Sequence, residues 1–285
     1  SEWSDTALLA EVARQVVPKL LGSARQPCYW IIDDTGFRKF GKHSVGVARQ
    51  YCGQLGKTDN CQVAVSLSLA TLQGSVPLGY RLYLPKQWTD DKDRCKRAGI
   101  PEQIGFATKG QIAWGQIEAA LSARIPQGTV LMDAGYGDEA AMRDRLSAHG
   151  LVYAVGIRPG TAVWWAEHQP LAKRTQSGPG RPRTRVRRDQ KHQPISVAQL
   201  AQTLPSSNYR TVTWREGTNA PLRSRFARVR VSTAQANRPR AEEWLLIEWP
   251  AGELEPTHYF LSTLAADCSM KALVDTVKTS RFAWP

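Results

Sequence analysis

Two aspartates a hundred positions apart are the residues best placed for chemistry: Asp33, closing the apolar run Tyr29-Trp30-Ile31-Ile32, and Asp133, closing Thr129-Val130-Leu131-Met132. Short apolar runs of this kind read as buried strands, each delivering a carboxylate at its end. If the strands are neighbours, the carboxylates converge. Two hard oxygen donors at one point suit Mg²⁺ or Mn²⁺ better than zinc, which takes mainly nitrogen and sulfur. Two-metal phosphodiester chemistry uses such carboxylates, one ion activating the attacking oxygen and one stabilising the leaving oxygen, and a third acid usually completes the set. Successive side chains of a strand point to opposite faces, so only one of Asp33 and Asp34 can face Asp133. Asp33 is the first choice and Asp34 the alternative. Both Asp33 and Asp133 also fit a plainer role, capping turns after strands.

The charge of the chain points to the partner. Its 285 residues carry a formal +13, and the excess is local. From Lys173 to Arg240 sixteen Lys/Arg stand against only Asp189 and Glu216, a balance of +14, so the remainder is close to neutral. A stripe this concentrated is the footprint of a polyanion binder. Within it the prolines of Gly178-Pro179-Gly180-Arg181-Pro182-Arg183 keep the backbone extended. Arg181 and Arg183 are then candidates to follow a narrow minor groove, with Arg185, Arg187 and Arg188 alongside. Arg38, Lys39, Lys42, Arg49 and Lys57, downstream of Asp33, are candidates to hold a substrate phosphate or to form an ordinary solvated loop. Arg223, Arg225, Arg228 and Arg230 would extend the phosphate-contacting surface, which fixes position without reading sequence. No run approaches the ~18 apolar residues of a membrane helix. Five scattered Cys without a Cys-x-x-Cys pair read as reduced thiols of a cytoplasmic protein. The five His show no ligand spacing, and no phosphate-binding Gly-rich loop is present.

The elements that must position the aspartates follow from periodicity. Residues 5–22 predict a helix capped by Ser4 or Asp5 and kinked or shortened by Pro18; the strand ending at Asp33 follows. Thr35 to Asn60 reads as a loop or loose hairpin. Cys61 to Leu69 alternates as a half-buried strand, and Val76 to Leu84 is a third strand. After a polar loop comes a helix over 110–125, then the strand ending at Asp133. Gly135-Tyr136-Gly137 is a tight turn, Asp138 caps a helix that Gly150 ends, and Leu151 to Ile157 is a further strand. This order predicts a mixed α/β protein, a sheet flanked by helices, in the element order of the ribonuclease-H-like fold, where the first and fourth strands lie side by side. The expected organisation is an N-terminal helical segment (1–26), the first part of the core (27–159), a basic β-rich insertion (160–263) and a final core helix (264–285) capped by Asp267 or Ser269.

Several blocks carry a family resemblance. Asp33-Asp34-Thr35-Gly36-Phe37-Arg38-Lys39, Ser44-Val45-Gly46-Val47-Ala48-Arg49-Gln50-Tyr51, Gly56-Lys57-Thr58-Asp59-Asn60-Cys61-Gln62-Val63, Phe106-Ala107-Thr108-Lys109 and Asp133-Ala134-Gly135-Tyr136-Gly137 stand in order. Together they resemble the signature of bacterial insertion-sequence transposases of the DDE type. The resemblance implies a ribonuclease-H-like catalytic domain and Mg²⁺ or Mn²⁺ as cofactor. It also implies double-stranded DNA (element ends and target) as partner, a homodimer on DNA and a cytoplasmic, nucleoid-associated location. Asp33 and Asp133 correspond to the first two catalytic acids. The third is a Glu on the final helix; Ser280-Arg281-Phe282-Ala283-Trp284-Pro285 resembles the approach to it, which places that Glu just beyond Pro285. The implied activity is metal-dependent cleavage at element ends followed by transfer of the 3′-hydroxyl into target DNA. A non-catalytic DNA-binding regulator and a nuclease of the same fold without strand transfer are the alternatives.

Overall fold

The alternation of Cys61, Val63, Val65, Leu67 and Leu69 builds a strand that outruns its apolar core at both ends, Lys57–Thr71. A computed structural model describes residues 5–22, 26–165, 168–171, 189–215, 221–234 and 240–279. These fall into two units, one reaching Leu131 and one starting at Met132. Secondary elements are numbered in chain order, and the long strand is β3.

In the first unit β3 is the spine. The strand β1 (Tyr29–Arg38) pairs with it antiparallel from Tyr29↔Ala70 to Arg38↔Cys61. The strands β2 (Ala48–Cys52) and β4 (Gly74–Leu82) pair with successive stretches of β3. On the far side of β1 lies β5 (Thr129–Met132), giving the order β2-β3-β1-β5. Thr129 N–H donates to Cys28 O at 2.9 Å and Trp30 Nε1 donates to Pro126 O at 3.0 Å. Neighbouring strands that start side by side run the same way, so one parallel pair joins an otherwise antiparallel sheet. Gly128 permits the approach, since a Cβ there would lie 2.6 Å from Cys28 O.

Two helices cover this sheet. The first, α1 (Asp5–Leu21), packs on β3 and β4 and continues through Pro18 to its end, where Gly22 takes a left-handed φ of +58°. On α4 (Lys109–Ser122), Thr108 Oγ1 accepts from Gln111 N–H while Gln111 Oε1 accepts from Thr108 N–H, a reciprocal cap. Gln116 of α4 donates to Val65 O at 2.9 Å. The stretch expected as a polar loop contains two short helices, α2 (Lys86–Thr89) and α3 (Lys92–Arg97). Elements of four and six residues are too short to show a helical period. Buried Trp88 anchors them, donating from Nε1 to Val47 O at 2.8 Å.

The second unit begins with α5 (Ala134–Gly137), α6 (Ala140–Ala148) and β6 (Tyr153–Ile157). It continues with β7 (Ala162–Trp165), β8 (Ile195–Ser196), α7 (Val197–Thr203), β9 (Arg210–Arg215), β10 (Leu222–Thr233), β11 (Glu243–Pro250), β12 (His258–Ser262) and α8 (Met270–Thr279). The strand order is β6-β12-β11-β10-β7-β8, with β9 on β10. The basic, β-rich stretch therefore adds directly to β6, whose partner β12 runs antiparallel from Tyr259↔Ile157 to Ser262↔Ala154. Leu245, Leu246, Ile247 and Leu261 are fully buried in this sheet. Ser269 rather than Asp267 caps α8, its Oγ accepting from Ala272 N–H at 3.1 Å. Lys278 of α8 enters the interior and donates to both Glu248 carboxylate oxygens at 2.5 and 2.6 Å, with both side chains almost fully buried. A helix-flanked mixed sheet in this element order is that of the ribonuclease-H-like fold.

Candidate active site

Asp33 does not end its strand. It stands opposite Ser66 near the middle of β1, which runs five residues further. The strand tolerates these polar residues because its second half is only half-buried and because Asp34 has a partner. The Asp34 carboxylate ion-pairs with Lys109 Nζ, at the first position of α4. Asp33 and Asp34 point to opposite faces of β1, so the face packed by α4 holds the Asp34–Lys109 pair and the other face carries Asp33. Asp33 Oδ1 accepts from Asp34 N–H at 2.8 Å, and Ser66 Oγ donates to Asp33 O at 3.3 Å. Lys109 is the residue whose role the sequence concealed: 75 positions separate it from Asp34.

Asp133 directly follows β5 and caps the short helix α5, its Oδ1 accepting from Gly135 N–H at 2.9 Å and Tyr136 N–H at 3.3 Å. What reads as a tight turn, Gly135-Tyr136-Gly137, is thus one helical turn that fixes the orientation of the carboxylate. That turn is pressed against β6. A Cβ on Gly137 would lie 2.6 Å from Val155 Cβ, and one on Gly156 would lie 2.9 Å from Ala134 N. Asp138 does not cap α6: its Oδ1 accepts from Thr161 Oγ1 at 2.6 Å and Arg158 N–H at 3.4 Å, while Glu139 precedes the helix. Buried Arg143 of α6 donates to Gly137 O, and Tyr153 OH of β6 donates to Glu243 Oε2 at 2.7 Å.

As ligands, Asp33 and Asp133 offer carboxylate oxygen, the donor that a hard divalent ion prefers. Among the described residues no three His, Cys, Asp or Glu side chains cluster as a ligand set. Burial pushes the Cys28 and Cys61 thiols up to about 11, so neither is a thiolate at neutral pH.

The cationic candidates separate by location. Arg38 lies 3.5 Å from Asp59 and 4.9 Å from the Phe40 ring. Lys39 is half-buried just past the end of β1, and Arg49 is exposed on β2 opposite Asn60. Arg225 stacks over Trp249 at 4.3 Å, and Arg228 and Arg230 flank Trp244 at 4.6 and 4.9 Å. Arg223 is exposed. Arg181, Arg183, Arg185, Arg187 and Arg188 lie outside the described residues.

A family model described as DDE superfamily endonuclease matches residues 1–221. The chain is also similar to a probable transposase for insertion sequence element IS701 from Microchaete diplosiphon, 33% identical over 137 residues, which are 47% of this chain. The match spans 32% of that relative's length. No helix among the described residues is long and apolar enough to cross a membrane.

Proposed function

The chain belongs to the DDE superfamily endonuclease family, and from that premise we propose that it is part of an insertion-sequence transposase. Its activity is metal-dependent cleavage at element ends, followed by attack of the freed 3′-hydroxyl on target DNA. Asp33 and Asp133 are the assigned metal-holding acids. The observation that carries the assignment is the pairing of β1 with β5, which start side by side and run the same way. Five residues on from Cys28 leads to Asp33, and four on from Thr129 leads to Asp133. The Asp34–Lys109 ion pair favours Asp33 over its neighbour.

Mg²⁺ or Mn²⁺ bound by these carboxylates would supply activation of the attacking oxygen and stabilisation of the leaving one. The protein's own share is orientation. Asp133 is held by the amides of α5, and Asp33 by a strand paired on both sides. Lys39, Arg49 and the arginines of 181–188 are assigned to phosphates of double-stranded DNA, which fixes the duplex without reading it. Two element ends brought together call for two copies of the protein, so a homodimer on DNA is part of the proposal.

The test is cleavage of a duplex carrying the element end in Mg²⁺. Asp33→Ala and Asp133→Ala are expected each to abolish cleavage while DNA affinity stays within twofold, about 0.4 kcal/mol. Cleavage at wild-type rate by either variant would overturn the assignment. A strand-transfer assay with precut ends then separates a transposase from a plain nuclease.

A further inference from the structure

The connection from β1 to β2 has to cross β3. In the sheet β3 lies between them, and Arg38 and Ala48 both stand opposite Cys61, one on each side. Two amides set the face of the crossing. Asn60 Nδ2 donates to Lys39 O at 2.7 Å and to Gly41 O at 2.9 Å, and Gln62 Nε2 donates to Val45 O at 2.5 Å. Along β3, Asn60 and Gln62 alternate in phase with Ser66, the residue opposite Asp33. Residues two apart on a strand line one face. The crossing over residues 39–47 therefore runs on the face that carries Asp33.

The same phase puts Thr35 and Phe37 of β1 on that face, and Arg49 and Tyr51 of β2, which stand opposite Asn60 and Thr58. Phe37 is 41% and Tyr51 60% exposed, and Lys42 and Arg49 are exposed as well. Arg38 belongs to the opposite phase, with Asp59. From Thr35 to Thr58 the chain holds five Lys/Arg and no Asp or Glu. The crossing is also braced from outside: Arg94 donates to Lys42 O at 2.7 Å while stacking 3.6 Å from the Trp88 ring. It is a built ridge, cationic along its crest and shouldered by two aromatic rings.

We propose that this ridge seats the DNA duplex flanking the scissile bond, with Lys39, Lys42 and Arg49 on backbone phosphates and Phe37 and Tyr51 packed against the sugar edges. This rests on the DNA-cleaving activity proposed above and adds where that substrate lies. The span fits: six residues of strand from Asp33 to Lys39 cover ~20 Å, close to six base-pair steps of ~3.4 Å. The lack of acidic residues in the segment makes the match to a polyanion one of charge as well as shape.

The experiment is duplex binding by the full chain, read by fluorescence anisotropy across a salt series, with a random-sequence duplex of about 40 base pairs as probe. Lys42→Ala/Arg49→Ala is expected to lower affinity and to reduce the log K against log salt slope by about 1.8, ~0.9 for each phosphate no longer neutralised. Tyr51→Ala is expected to weaken binding severalfold with the slope unchanged. Arg38→Ala, on the opposite face, should change neither. All four positions lie on the surface, so unaltered thermal unfolding verifies that each variant is folded. If wild type binds the duplex and the double variant binds with the same affinity and slope, the ridge is overturned while the cleavage activity stands. If Arg38→Ala mimics the double variant, the assignment of faces is wrong. Wild type that binds no duplex sinks both.

Discussion

Glu243 shows how a single carboxyl couples this fold to pH. It is buried in β11, where it accepts from Tyr153 OH, and desolvation raises its pKa above the ordinary 4.5 despite the nearby guanidinium of Arg143. Burial likewise pushes the Tyr153 hydroxyl up and the Arg143 guanidinium down. A raised carboxyl pKa means the folded protein keeps a proton that the unfolded chain gives up. The stabilisation is whole below about pH 4.5 and is lost as pH climbs through the raised value. Glu243→Gln, which still accepts from Tyr153, is expected to flatten this dependence, so wild-type and variant melting temperatures should converge toward acid pH and separate above it. Parallel melting curves from about pH 4 to pH 8 would refute the shift. None of this is legible in the sequence, because Tyr153 and Glu243 are 90 positions apart. The aspartates are legible because each ends an apolar run. The partner of Asp34 is hidden for the same reason as that of Glu243: an ion pair between remote residues leaves no period in the sequence.

Among the elements, those with a strong period announce themselves and those set by tertiary contact do not. The alternating half of β3 and the apolar faces of α4 and α8 stand where their sequences place them. The extension of β1 to Arg38 comes from its ladder with β3, since Asp33 and Asp34 have little strand preference of their own. The one-turn helix α5 likewise exists because Asp133 caps it and two glycines let it lie flat on β6. Gly156→Ala tests that packing. The added methyl would meet Ala134 N at 2.9 Å, a backbone clash that costs roughly 1–3 kcal/mol by overpacking. Lifting the turn moves the Asp133 carboxylate, so cleavage should fall further than duplex binding. A variant with a lowered melting temperature but wild-type cleavage per folded molecule would uncouple β6 from the acid.

For the whole chain, the decisive quantity is where the charge sits. The stretch from Lys173 to Arg240 carries +14 against +13 for the whole chain, so all of the excess lies there. Within that stretch Arg225, Arg228 and Arg230 are stacked on indole rings and Arg240 pairs with Asp144, so these are built into the sheet or tied to α6. Replacing Arg181, Arg183, Arg185, Arg187 and Arg188 together by Ala is expected to flatten the salt dependence of duplex binding by up to about 4.5, at ~0.9 per phosphate. An unchanged slope would show that these arginines carry no phosphate. The pairing of Ile157 with Tyr259 has a consequence of another kind. The chain leaves β6 and, about a hundred residues later, comes back beside its point of departure. An excursion whose two ends meet can lengthen, shorten or be swapped between relatives as a cassette without disturbing what it leaves behind, so selection can refit how such a protein grips its substrate while the strands beneath stay as they are.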